Sequence, residues 1–144
     1  MIAIDTNVLL RYLLWDDEEQ AKKADALIKG TSAVLVTDIV LVEMVWILRG
    51  KRYELNKTEI IKTINSLFEE INIYFENPQI IWQALSDYQK APIIKLASKN
   101  KTADFSDSLI LNKAKNFAQM RFGKFGGFYT FDVAVQEMPG SCKP

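Results

Sequence analysis

Short apolar runs alternate with stretches of helical period along this chain, and that alternation restricts it to an α/β architecture with a parallel sheet covered by helices. The first run, Met1-Ile2-Ala3-Ile4, suits an interior strand and stops at Asp5; Leu9, Leu10, Leu13 and Leu14 then form a helical stripe. An acid placed where a strand turns into a helix lies at the strand's carboxyl edge, where open α/β sheets collect their ligands. Asp16-Asp17-Glu18-Glu19 supplies negative charge for the start of a second helix, whose inward face is Ala21, Ala24, Leu27 and Ile28. Ala33 to Val36 reads as the next strand. Thr37 or Asp38 caps a helix that Gly50 ends.

Further along, Ile60, Ile61, Ile64, Leu67 and Phe68 mark another helix, and Ile71, Ile73 and Phe75 alternate as a strand does. Asn77-Pro78 is a cap followed by proline at the first helical position, opening a helix with Ile80, Ile81, Ala84 and Leu85 inward. Pro92 breaks that pattern, and residues 91–102 fit either a short helix or a loop. Leu109, Ile110, Ala114 and Phe117 define the next helix, and Phe128-Tyr129-Thr130-Phe131 forms a strand ending at Asp132. At 144 residues the expectation is a single domain, 1–144, with 139–144 as a C-terminal tail.

Composition removes whole classes of chemistry. There is no histidine, which rules out Ser-His-Asp and Cys-His catalysis and imidazole-held zinc. The one cysteine, Cys142, lies in the expected tail and excludes an internal disulfide. Oxygen ligands remain, and they favour Mg2+ or Mn2+. No apolar run reaches the roughly 18 residues that span a bilayer, and no basic region precedes a long apolar core. A cytoplasmic protein without a membrane role is the expectation.

The acids are placed unevenly. Glu43 is the only charge in Ile39-Val40-Leu41-Val42-Glu43-Met44-Val45-Trp46-Ile47-Leu48, and a helix apolar nearly all round is expected to be buried. An unpaired carboxylate there needs compensation, and no basic residue lies within one helical turn. Lys+Arg and Asp+Glu each number 18, so net charge announces no polyanion binder. Yet residues 90–124 hold Lys90, Lys95, Lys99, Lys101, Lys113, Lys115, Arg121 and Lys124 against only Asp104 and Asp107. Each acid has a plain structural explanation: Asp5 and Asp104 as helix caps, Asp107 in a first turn, Asp132 opening a turn, Glu43 in a buried ion pair. Taken together, five acids that meet would repel one another unless a cation sat among them. Trp15, Trp46 and Trp82 read as packing residues rather than base-stacking platforms.

These residues carry a resemblance. Asp5-Thr6-Asn7 after an opening strand, Val42-Glu43 in a helix, Ala103-Asp104-Phe105-Ser106-Asp107-Ser108-Leu109-Ile110, and Thr130-Phe131-Asp132 followed by Pro139-Gly140 resemble the ordered motifs of PIN-domain ribonucleases, in particular VapC-like toxins. The resemblance implies a PIN-like α/β/α sandwich with a central parallel sheet, cutting RNA with Mg2+ or Mn2+. It implies that Asp5, Glu43 and Asp107 bind the metal with Asp132 in a more variable fourth position, and that Asp104 is an accessory acid. Thr6, Asn7 and Thr130 match supporting polar residues. It further implies a homodimer and a cognate antitoxin protein that covers the acids. The basic stretch supplies Lys113, Lys115 and Arg121 as RNA contacts.

Two departures from that pattern stand out: Lys90 to Lys101 is longer than the usual connection, and Val133-Ala134 replaces basic residues after the fourth motif. Two other readings compete. A haloacid-dehalogenase-type phosphatase uses Asp-x-Asp, and Asp5-Thr6-Asn7 lacks its second carboxylate. A PIN-like module that binds RNA or protein without cleaving is opposed by the presence of every matched acid.

Overall fold

Ile2 and Ala3 are held as a strand because their backbone pairs with a more deeply buried neighbour: Ile2 N donates to Ala33 O at 2.8 Å and Ile4 N to Leu35 O at 3.3 Å. The computed structural model describes residues 1–144, which form two compact units, Met1–Pro78 and Gln79–Pro144. In the first, β1 (Ile2–Ala3), β2 (Val34–Val36) and β3 (Ile73–Phe75) make a parallel sheet in the order β1-β2-β3. Val34 and Val36 on the central strand have no exposed surface, as expected for a sheet covered by helices. The expected α/β class with a parallel sheet is what the chain adopts, with seven helices in all.

Four of those helices belong to the first unit: α1 (Thr6–Leu14), α2 (Glu18–Ile28), α3 (Asp38–Arg49) and α4 (Lys57–Phe68). Each begins on a side chain that satisfies a free amide. Asp5, Asp17, Thr37 and Asn56 are the caps, Asn56 in a reciprocal box with Glu59. Thr37, not Asp38, therefore caps α3. The inward positions expected from sequence are buried at Leu9, Leu10, Ala21, Ala24, Ile28, Ile60, Ile64 and Leu67, whereas Leu27 is 45% exposed.

The second unit contains α5 (Pro78–Lys90) from its second residue onward, a hairpin of β4 (Ile94–Leu96) and β5 (Lys99–Lys101), α6 (Phe105–Phe122), β6 (Phe128–Tyr129), α7 (Val133–Gln136) and β7 (Ser141–Cys142). Residues 91–102 are thus neither a helix nor an irregular loop. They form an antiparallel hairpin, turning at Ala97-Ser98 with Ala97 in the left-handed region at φ 52°. The segment expected as a tail contributes β7, which pairs in parallel with β6.

Ala91, Ala103, Leu111, Val135 and Met138 form a buried cluster with Phe125 and Phe128 against it. Tyr88 and Phe105 meet edge-on at 6.1 Å. α6 is buried only in its first half, at Phe105, Ser108, Leu109, Leu111 and Asn112. Ile110 and Phe117, expected inward, are 53% and 62% exposed, because no buried residue follows Asn112 along this helix. No helix is long and apolar enough to cross a membrane.

Candidate active site

In the first unit a hydrogen bond links the residue after Asp5 to Glu43. Asp5 follows β1 in extended conformation and caps α1, its Oδ1 accepting from Val8 N at 2.9 Å. The structural reading of Asp5 as a cap is therefore correct, and it leaves the carboxylate exposed with its other oxygen turned to no backbone amide. Thr6, the first residue of α1, is buried, and its hydroxyl donates to Glu43 Oε2 at 2.5 Å. That bond spans 37 positions and ties the start of α1 to the middle of α3 beside Asp5.

Glu43 departs from expectation in one respect: it is exposed. Ile39, Trp46 and Ile47 of the same helix are 72%, 59% and 40% exposed, so α3 buries Val40, Leu41, Met44, Val45 and Leu48 and presents an apolar stripe around the acid. No buried ion pair explains Glu43. A shallow groove of about 270 Å³ adjoins Asp5, lined by Asn7, Arg11, Gln20 and Lys23 among others. Arg11, Gln20 and Lys23 had not stood out in sequence. Asn7 and Arg11 are four apart on α1, so the helical face that carries Asn7 carries a guanidinium also. Arg11 is bound to Asp16 at 2.6 Å and to Gln20 at 3.0 Å, and that contact with Asp16 holds the arginine above its ordinary pKa.

In the second unit, Asp104 caps α6 and Asp107 answers it from the third helical position. Phe105 N donates to Asp104 Oδ1 at 2.6 Å, and Asp104 N donates to Asp107 Oδ2 at 2.8 Å. Half-burial pushes the Asp107 carboxyl above its ordinary value, and the nearby charges of Asp104 and Asp132 push it further, partly offset by the Asp104 amide and Lys101. Asp132 caps α7, its Oδ1 accepting from Ala134 N at 2.9 Å and Val135 N at 3.4 Å. Its Oδ2 receives the Lys101 ammonium at 2.5 Å, the main reason this carboxyl is held below its ordinary value. Thr130 Oγ1 accepts from Asp132 N at 3.0 Å, fixing the backbone of the acid rather than its carboxylate.

The strand before Asp132 belongs to the β6-β7 pair and not to the three-stranded sheet that Asp5 follows. Among the basic candidates, Lys115 is engaged: its Nζ donates to Pro139 O at 2.7 Å and so pins the segment leading to β7. Lys113 and Arg121 lie on the exposed half of α6. All three tryptophans, expected to pack, are about half exposed: Trp15 49%, Trp46 59% and Trp82 56%.

The donor set suits a hard divalent cation. Every matched acid offers carboxylate oxygen, and there is no imidazole to compete. A desolvated carboxylate flanked by two others, as at Asp107, is the situation a cation relieves. No group of three or more acids is placed to hold one ion. Compared with known families, the chain matches the PIN domain over residues 2–119. No curated protein matches it.

Proposed function

The chain belongs to the PIN domain family, and from that premise we propose that it is a metal-dependent endoribonuclease and the toxin of a toxin-antitoxin pair. The observation that carries the nuclease reading is the Thr6–Glu43 hydrogen bond. It holds an exposed mid-helix glutamate beside Asp5 across 37 positions of sequence, an arrangement that neither helix capping nor ion pairing requires. Membership of this family also removes the Asp-x-Asp phosphatase reading.

Asp5, Glu43, Asp107 and Asp132 are the residues that would hold Mg2+ or Mn2+, with Asp104 accessory. When bound, the divalent ion supplies Lewis-acid polarisation of a phosphoryl oxygen and a more acidic attacking water. The chain's own work is orientation. Thr6 fixes the Glu43 carboxylate, the Asp104 amide fixes Asp107, and Thr130 with the α7 amides fixes Asp132. Placing groups before reaction is worth several kcal/mol of barrier, because ordering is then complete before substrate arrives. Asn7 borders the groove next to Asp5, where Arg11 and Lys23 add positive charge for a phosphate backbone. Lys113 and Arg121 are the candidate phosphate contacts of the second unit, on α6. Lys115 contributes by holding the C-terminal segment.

The partner assignments rest on the resemblance and on exposed apolar surface. Phe117, Met120 and Phe122 are 62%, 77% and 74% exposed on the half of α6 where nothing is buried, which supports self-association into a homodimer. The antitoxin would cover the acids.

The deciding experiment is Mn2+-dependent cleavage of RNA by wild type and by Asp5→Asn, with circular dichroism on both. The amide retains the acceptor that caps α1, so the fold stays while cleavage falls by about 10²-fold or more, the scale of losing one preorganised electrostatic contact. Equal cleavage by the two proteins would remove the proposed site. A protein that binds RNA but leaves it intact under all divalent ions would support the non-cleaving alternative.

A further inference from the structure

We propose that Lys101 is a resident cation of the acidic site, its ammonium group occupying the position at Asp132 that a divalent ion would otherwise take. The inference rests on the nuclease reading of these acids and adds to it a residue that the matched motifs do not contain.

Three observations converge on Lys101. The first is engagement of the acid: Asp132 gives Oδ1 to two α7 amides and Oδ2 to Lys101, so an ion reaching this carboxylate competes with the lysine. The second is the contact itself, a direct ion pair between the Lys101 ammonium and Asp132 Oδ2. The third is the delivery. Lys101 is the last residue of β5 and pairs with Ile94 in a hairpin whose strands bury no side chain. A two-stranded hairpin with no buried face has little of its own to hold it in water. Among its residues, Lys101 is the one whose side chain reaches outward to a functional acid, and its charge extends to Asp107 as well. The longer connection seen in the sequence therefore ends by placing one positive charge on Asp132, near enough to act on Asp107 as well.

An isolated surface ion pair would have no such consequence for metal binding, so the two readings separate by counting ions. Mn2+ alone is titrated into wild type, Lys101→Met, Lys101→Arg and the double variant Lys101→Met/Asp132→Asn, with free Mn2+ followed by electron paramagnetic resonance and the fold by circular dichroism. We expect Lys101→Met to bind one Mn2+ more per chain than wild type, or the same number at least tenfold more tightly. Lys101→Arg should keep the wild-type count, and the double variant should lose the gain. Equal counts and affinities for wild type and Lys101→Met overturn the inference, as does a gain that survives Asp132→Asn. These titrations contain no RNA, so their failure is distinct from the failure of the nuclease reading, which the Asp5→Asn cleavage assay decides.

Discussion

Replacing Thr6 by Val tests whether Glu43 is held for function or merely tolerated. The two side chains have nearly the same shape, so the buried site of Thr6 stays filled and only the hydroxyl is lost; Asp5 still caps α1. A hydrogen bond to a charged acceptor is worth about 1.5–3 kcal/mol, but Glu43 is exposed and water replaces the missing donor. The expected loss of stability is therefore at the low end for a hydrogen bond, about 0.5–1.5 kcal/mol in urea unfolding. The larger effect falls on metal binding. Freed from Thr6, Glu43 regains rotamer freedom of about 1.5–2 kcal/mol, which must be surrendered when an ion binds. Since about 1.4 kcal/mol is a factor of ten, Mn2+ should bind roughly tenfold more weakly, and RNA cleavage at subsaturating Mn2+ should fall in proportion. Thr6→Ser keeps the hydroxyl and should stay within a factor of about two of wild type in both assays, because its donor is retained. Wild-type Mn2+ affinity in Thr6→Val would refute the reasoning, since it would mean that the hydrogen bond orients nothing that matters.

Two further expectations follow from the second unit. Because burial raises the Asp107 carboxyl, a carbon-13 NMR titration should find its midpoint above the ordinary 3.8, and Mn2+ affinity should begin to decline while pH is still above that value; a midpoint at or below 3.8 contradicts the assignment. The sign for stability is opposite at the two acids. Asp132, held low by Lys101, stabilises the fold above its unfolded pKa and loses that contribution as pH falls through its folded value, whereas the penalty at Asp107 is relieved as pH falls through its raised one. Phe105→Ala, which empties a fully buried position packed edge-on against Tyr88, should cost about 3–5 kcal/mol in denaturant unfolding; a loss below about 1 kcal/mol would show that the site collapses around the gap.

What could be read from sequence is what is local. Helix starts at Asp5, Thr37 and Asp104 follow from a short polar side chain preceding a helical period, and the inward faces of α4 and α5 follow from spacing. Glu43 was placed correctly on its helix, but its exposure was not legible. An apolar residue at Ile39, Trp46 or Ile47 looks the same in sequence whether it packs or faces water, so α3 read as buried all round. The hairpin was hidden for a different reason. Its turn uses Ala97 at positive φ where glycine or asparagine would have announced it, and Lys99-Asn100-Lys101 is too polar to alternate, leaving Ile94-Lys95-Leu96 without a visible partner. The pairing of β7 with β6 joins residues separated by α7, and no local pattern in Ser141-Cys142 encodes a distant partner.

The two groups of acids are tolerated for different physical reasons, and the difference points to where a cation is most needed. Asp5 and Glu43 are exposed, so water screens them and the fold carries both without an ion. Asp107 is half-buried next to two other carboxylates, where desolvation and repulsion act in the same direction. The chain answers with one lysine, and that lysine sits on Asp132 rather than on Asp107. It removes part of the repulsion on Asp107 and none of its desolvation, leaving that carboxylate as the least satisfied acid of the set. Within the second unit, a divalent ion is therefore expected to gain most at Asp107. Asp107→Asn, which keeps an acceptor for the Asp104 amide, should therefore weaken Mn2+ binding while costing little folding stability, and unchanged Mn2+ affinity would contradict the assignment.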